Sequence, residues 1–230
     1  MLNVESVKLK IKNLGLLILD VLYPKKCLGC GREGNYICNK CELFMIESEN
    51  VLYLVKHIPM TSVWEYNGVV KEIIHKIKYR GVSDAIKELV GRFVVVMGRS
   101  PENFNDLLHY IYEEKPVITY VPIHWRRKRK RGFNQSEIIA KELGKIFNLP
   151  VVKMLKKVKN TKSQTKLNEK ERLENVRDSF GVQKGLPLQM RNILLVDDVS
   201  TSGATMNECC RVLKESGVEK IWQFTLAKTT

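Results

Sequence analysis

The stretch ILLVDDVSTSGAT, residues 193 to 205, restricts what this chain can fold into more than any other. An apolar run ends in two consecutive acids, Asp197 and Asp198; a loop of small residues follows, and a helix opens near Thr205. A strand that is apolar on both faces belongs to a parallel sheet with helices on either side. In open sheets of that kind ligands bind at the carboxyl ends of the strands, where this loop must lie. Ser200-Thr201-Ser202-Gly203-Ala204-Thr205 carries no bulky side chain, so its backbone can wrap an anion. Its amides and the positive end of the helix dipole can donate to phosphate oxygens. It is not a Walker A loop, because GxxxxGK[ST] is missing. Two carboxylates beside a phosphate cradle make sense once the ligand contains a sugar, whose vicinal hydroxyls donate to them. A loop reading ribose 5-phosphate is therefore chemically coherent. The alternative is an ordinary strand–loop–helix turn rich in capping residues, but two like charges at a buried strand end are costly to keep for fold alone.

The rest of the chain agrees with that strand. Pro116 to Val121 reads as a buried strand, Ser136 to Phe147 as a helix, and Val151-Val152 as the start of another short strand. Arg191 to Asp197 is strand, a helix runs from about Thr205 to Ser216 with Gly217 as its cap, and Ile221 to Ala227 is strand. The fold class expected is α/β, a parallel sheet flanked by helices. Upstream, Trp64 to Met97 reads as mainly helical, with stripes such as Val69, Val70, Ile73, Ile74 and Ile77, before a polar connector at Ser100 to Asn105. The division expected is an amino-terminal helix and finger over residues 1–50, a helical hood or connector over 51–105, and the α/β domain over 106–230.

Val7, Ile11, Leu14, Ile18 and Leu22 line one face of a helix that ends before Pro24. Docking on the body of the protein is the simpler use for it, a membrane surface the other. Lys8, Lys10 and Lys12 before Leu14–Leu19 imitate a signal peptide, but Asp20 interrupts the apolar stretch and no small-residue cleavage site follows. No apolar run approaches the ~18 to 20 residues of a transmembrane helix. A cytoplasmic protein is expected.

Cys27, Cys30, Cys38 and Cys41 form CLGC and CNKC. Two residues between thiolates let one tight turn aim both sulfurs at one ion, and two such turns complete a tetrahedron suited to zinc. Gly29, Gly31 and Gly34 supply backbone freedom for the turns. An iron–sulfur cluster or a redox pair are alternatives, while two disulfides conflict with a reducing cytosol. Four protein ligands leave no open position, so the role is structural. Cys209 and Cys210, adjacent on an expected helix, read as inert packing residues.

Charge adds a further constraint. Thirty-nine Lys and Arg against 25 Asp and Glu give a net charge of +14, and 44% hydrophobic residues exclude a disordered chain. Such a surplus favours an anionic partner: nucleic acid, a phosphorylated metabolite or an acidic membrane surface. Six of these cations are consecutive, Arg126, Arg127, Lys128, Arg129, Lys130 and Arg131, just after the strand ending at Val121. Like charges so packed need solvent or an anion. A solvated loop would satisfy them, as would a nucleic-acid backbone tracked by Arg127, Lys128, Arg129 and Lys130. Trp125 and Phe133 flank the run and suit either base stacking or the core. Residues 159 to 178 are polar, with six basic and four acidic side chains. The histidines show no ligand spacing, and only His124, beside the basic run, is of interest.

Residues 193 to 205 resemble the phosphoribosyl-pyrophosphate (PRPP) signature of type I phosphoribosyltransferases. Across nearly its full length the chain resembles the ComF family of bacterial competence proteins. The likeness includes the four-cysteine finger, YNGVVKEIIHKIKYRG from Tyr66 to Gly81, VPIHWRRKRKRGFNQS from Val121 to Ser136, and TKSQTKLNEKERLENVRDSF from Thr161 to Phe180. Ser202 departs from the pattern, where Thr is usual, but keeps a hydroxyl. The resemblance implies a type I phosphoribosyltransferase-like domain that takes PRPP with Mg²⁺. It implies that Asp197 and Asp198 are the catalytic acids holding the ribose hydroxyls, and that Thr201, Ser202, Gly203, Ala204 and Thr205 hold the 5′-phosphate. Arg126 and Arg131 would face pyrophosphate, with Gly132 permitting the turn. Gln164, Arg172 and Asn175 would belong to a flexible loop that closes over the ligand. It further implies a role in natural competence, with single-stranded DNA and other DNA-uptake proteins as partners. A non-catalytic single-strand binder or PRPP sensor is the alternative. With only three residues after Ala227, any base-recognising hood is expected within residues 50 to 100 or the finger, and the acceptor is not legible.

Overall fold

The computed structural model describes residues 24–48, 52–55, 58–161, 169–183, 185 and 191–229. The expected amino-terminal helix and Gln164 lie outside these residues. The finger contains one short helix, α1 (Asn39–Glu42). Two strands follow, β1 (Leu52–Val55) and β2 (Ile58–Glu65), then α2 (Gly68–Arg80), α3 (Asp84–Arg99), a 3-10 turn and α4 (Asn105–Glu114). The next elements are β3 (Val117–Tyr120), α5 (Trp125–Arg131), α6 (Gln135–Phe147), β4 (Leu155–Lys157), α7 (Glu169–Val176) and β5 (Phe180–Val182). The chain closes with β6 (Asn192–Ser200), α8 (Ala204–Glu215) and β7 (Lys220–Lys228).

The main sheet has the order β1-β2-β7-β6-β3. All its pairings are parallel except β1 with β2. Val151 extends it past β3 through a single parallel bridge to Ile118. The double-sided burial expected of the signature strand is present: Ile193 and Leu195 enter one core cluster, Leu194 and Val196 the other. Helices α2, α3, α4 and α6 cover one face and α8 the other. On α2, Ile73, Ile74 and Ile77 are fully buried, each stabilising by roughly 1.5–3 kcal/mol relative to exposure.

Three expectations need correcting. The run from Trp64 begins inside a strand: β2 is buried from Met60 to Trp64 and pairs in parallel with β7. Thr61 and Ser62, both buried, interrupt the apolar pattern that would have marked it. The strand expected at Val151-Val152 shrinks to that bridge, and β4, a few residues later, pairs with β5 in a separate two-stranded sheet. The six-cation run is helix α5, not a loop; His124 caps it, its Nδ1 accepting from the Arg126 N–H at 3.4 Å.

Topology then locates the site. From β3 the chain crosses by α5 and α6 to Val151 on the outer edge, whereas from β6 it crosses by α8 to β7 on the inner side. The buried side chains of α6 and α8 lie in opposite core clusters. The two crossovers therefore part between β3 and β6, and the crevice at their carboxyl ends is the switch point at which ligands bind in such sheets.

Candidate ligand site at the strand ends

Asp197 and Asp198 end the apolar part of β6 within that crevice. Asp197 Oδ1 accepts from the Ser136 hydroxyl at 2.7 Å and from the Asp198 N–H at 2.8 Å. Asp197 keeps part of its surface open, yet burial and the adjacent Asp198 carboxylate push its pKa up to about 7. Asp198 is gripped by Lys78 of α2, whose Nζ lies 3.0 Å from Oδ1 and 2.9 Å from Oδ2. Burial alone would lower the Lys78 pKa, but the two acids outweigh it and raise it.

Beyond the acids, Thr201 and Ser202 lead to Gly203, whose φ of 69° is left-handed backbone that a side chain would strain. Ala204 and Thr205 open α8. The Ser202 Oγ is buried with no hydrogen-bond partner among the described residues. A buried hydroxyl left so costs about 1–3 kcal/mol unless a ligand or water completes it. At the start of a twelve-residue helix it adds a side-chain donor to the backbone amides, a set that fits a phosphate.

Across the crevice, α5 sorts its cations by helical spacing. Arg127 and Arg131, four apart, are partly buried, and Arg126, Lys128, Arg129 and Lys130 are exposed. The Arg127 Nη2 donates to the Thr161 carbonyl at 2.7 Å. The Arg131 guanidinium lies 5.8 Å from the centre of the Tyr79 ring. Arg126 turns outward over Trp125, 5.3 Å from a ring that is 61% exposed. Phe133 packs against the main core. Lys128 pairs with Glu137 at 2.9 Å. Gly132 ends the helix in left-handed backbone, at φ 84°. Burial, then the neighbouring cations Arg126, Lys157 and Arg127, lower the pKa of His124.

Two lysines complete the polar lining, neither of them identified from sequence. Lys157 of β4, its Nζ 4.6 Å from the centre of the Phe180 ring, has its pKa pulled down to about 8 by burial and by Arg127, with Cys209 and Asp197 opposing. Lys78 carries a legible signal. It lies four residues after Ile74 on the buried stripe of α2, where a cation requires a partner. For Lys157 the sequence offers no comparable mark. Arg172 and Asn175 ride on α7, which packs beside α8. Cys209 and Cys210 are buried in the α8 core, their thiols pushed up by burial, Cys210 to about 12.

At the finger, the four sulfurs of Cys27, Cys30, Cys38 and Cys41 lie within 4.8 Å of one another. Tetrahedral zinc, with Zn–S near 2.3 Å, separates its sulfurs by about 3.8 Å. The Cys30–Cys38 distance is 3.6 Å, so the set fits. A Cβ on Gly29 would stand 2.6 Å from the Cys41 Sγ, which is why no side chain is tolerated there. Burial resists ionisation of Cys27, but N–H groups of Cys38, Cys30 and Gly29 outweigh it and bring its pKa down to about 6. The Arg32 N–H likewise lowers Cys30, while burial and the other three sulfurs push the Cys41 thiol up. The finger docks through the Tyr36 and Ile37 N–H groups on Glu88, at 3.0 and 2.8 Å, and through the Lys76 Nζ on the Leu28 carbonyl, at 2.6 Å.

Residues 129–229 match the family model of the phosphoribosyl transferase domain. The chain is 29% identical over 207 residues to Competence protein ComFC of Bacillus subtilis (strain 168), covering 88% of this chain and 78% of that protein. It is 35% identical over 115 residues to Competence protein F of Haemophilus influenzae, about half of each chain (49% and 50%). It is 30% identical over 171 residues to DNA utilization protein YhgH of Escherichia coli O157:H7, covering 74% of this chain and 72% of that protein. The matched domain contains the acid pair, the small-residue loop and α8, and the relatives extend the likeness well upstream of it, so the chain belongs to the ComF family of competence proteins with a phosphoribosyltransferase domain.

Proposed function

We propose that the crevice binds PRPP and transfers its phosphoribosyl group, and that the protein acts in natural competence on incoming single-stranded DNA. One observation carries the reading: two carboxylates, one of them paired with Lys78, and an unsatisfied buried hydroxyl at a helix start share the carboxyl end of β6. Asp197 and Asp198 accept from the ribose hydroxyls. Residues Thr201 to Thr205 hold the 5′-phosphate. Arg131 takes pyrophosphate together with Arg127, which occupies the inward position on α5 while Arg126 faces Trp125.

The carboxylates are hard oxygen donors of the kind Mg²⁺ takes, and Asp197 together with the oxygens of PRPP would hold it. Mg²⁺ so bound supplies positive charge to the departing pyrophosphate. In the transfer, the bond from ribose C1 to the pyrophosphate oxygen breaks, its electron pair leaving with pyrophosphate, and a bond from the acceptor's lone pair to C1 forms. Arg127, Arg131 and Lys157 offset the charge gathering on the leaving group. The stretch that carries Gln164, Arg172 and Asn175 closes over the site to exclude water. Calorimetry with PRPP, with and without Mg²⁺, tests this: micromolar binding that depends on Mg²⁺ is expected. A folded protein that shows no binding at millimolar PRPP would rule the reading out.

The DNA reading is favoured by the outer face of α5, where Arg126, Lys128, Arg129 and Lys130 are exposed beside Trp125. Backbone phosphates and a stacking aromatic are what such a surface suits. The four cysteines hold zinc as a structural ion, and DNA-uptake proteins are the expected partners.

A further inference from the structure

We infer that Lys78 is a positioning residue that sets the plane of the Asp198 carboxylate for a vicinal diol, making the site selective for ribose over deoxyribose phosphates. The inference rests on reading the crevice as a ribose-phosphate site. The terminal torsion of an aspartate is broad and poorly fixed by its own backbone. Asp198 would thus present its oxygens at no fixed angle to a pair of hydroxyls. Here the Lys78 Nζ bridges both oxygens, at 3.0 and 2.9 Å, and holds that torsion. Each oxygen keeps a further lone pair for an incoming hydroxyl.

Lys78 is itself held firmly. It extends the buried stripe of α2, and Ile74 and Ile77 on that stripe are 2% exposed. The pair is not sealed: the side chains of Lys78 and Asp198 keep 21% and 13% of their surface. A sugar can therefore reach the carboxylate without expelling the lysine. Asp197 is oriented separately, by Ser136 and the Asp198 N–H. Each acid of the pair thus has its own fixed partner.

The test compares ribose 5-phosphate with 2-deoxyribose 5-phosphate by calorimetry on the full chain. Both carry the same phosphate, so a general loosening of the site weakens both alike. The wild type should bind ribose 5-phosphate at least tenfold more tightly. Lys78→Met should bring the two within threefold by weakening ribose 5-phosphate alone. Lys78→Arg keeps the charge but has a longer, planar head that turns the carboxylate, so the preference should narrow severalfold. This variant decides the question even if Lys78→Met does not fold. A full tenfold preference retained in Lys78→Arg, or equal weakening of both sugars in Lys78→Met, overturns the role of Lys78 and leaves the ribose-phosphate site standing. A wild type that binds neither sugar overturns the underlying reading instead.

Discussion

At the residue scale, Asp197 shows how the site's chemistry opposes the fold. An aspartate raised from its ordinary value near 3.9 to about 7 is favoured when protonated in the folded state. Its contribution to stability is complete below about pH 4, declines as pH rises through the window from 4 to 7, and is constant above it. Asp197→Asn keeps an oxygen for Ser136 and for the Asp198 N–H while removing the buried charge. The variant should gain roughly 1–3 kcal/mol over the wild type between pH 5 and pH 8 in urea unfolding, and lose ligand binding. A difference in stability that stays flat between those pH values would show that the charge is not strained. The acids themselves are legible in the sequence because they follow an apolar run directly. The lysine that holds Asp198 is marked only as a cation on a buried stripe; its partner, 120 residues away, is not legible, since only the folded chain brings α2 to the end of β6.

At the element scale, α5 divides its labour between two faces. A run of six cations reads from sequence as an undivided patch. Helical spacing separates Arg127 and Arg131 from Lys128, Arg129 and Lys130. Glutamate at 128, 129 and 130 should therefore weaken single-stranded DNA binding at least tenfold in 50 mM salt. It should also reduce the log–log salt slope by about 2, at roughly 0.7 for each phosphate no longer neutralised. PRPP binding should change little, and unchanged DNA affinity would free this face of any such role. Strands β1 and β2 escape sequence reading for a related reason. Polar Thr61 and Ser62 are buried because β2 lies inside a sheet whose neighbour β7 arrives from the far end of the chain. The signature strand, the α8 start and the finger are legible because each is encoded by contiguous residues or a short fixed spacing.

For the whole molecule, the finger belongs to the main core and is no detachable appendage. Leu28, Ile37 and Met45 lie in the same cluster as Ile73, Phe93 and Phe224. Removing the metal should therefore destabilise all of the chain at once. Chelation, or Gly29→Ala with its forced clash on Cys41, should lower the midpoint of thermal unfolding by about 5 °C or more in a single transition. An unaltered midpoint with the zinc demonstrably gone would mean that these cysteines carry no folding free energy.

Helix α2 touches the finger through Lys76 and the acid pair through Lys78, two residues further along the same rod. Both residues lie near the carboxyl end of the helix, within one turn, so a shift of that turn moves both contacts. A cell short of zinc would then take the crevice out of register without altering any of its own residues. On the proposed zinc assignment, metal supply thus becomes a condition of service for the proposed ligand site, set by carpentry rather than by a signal.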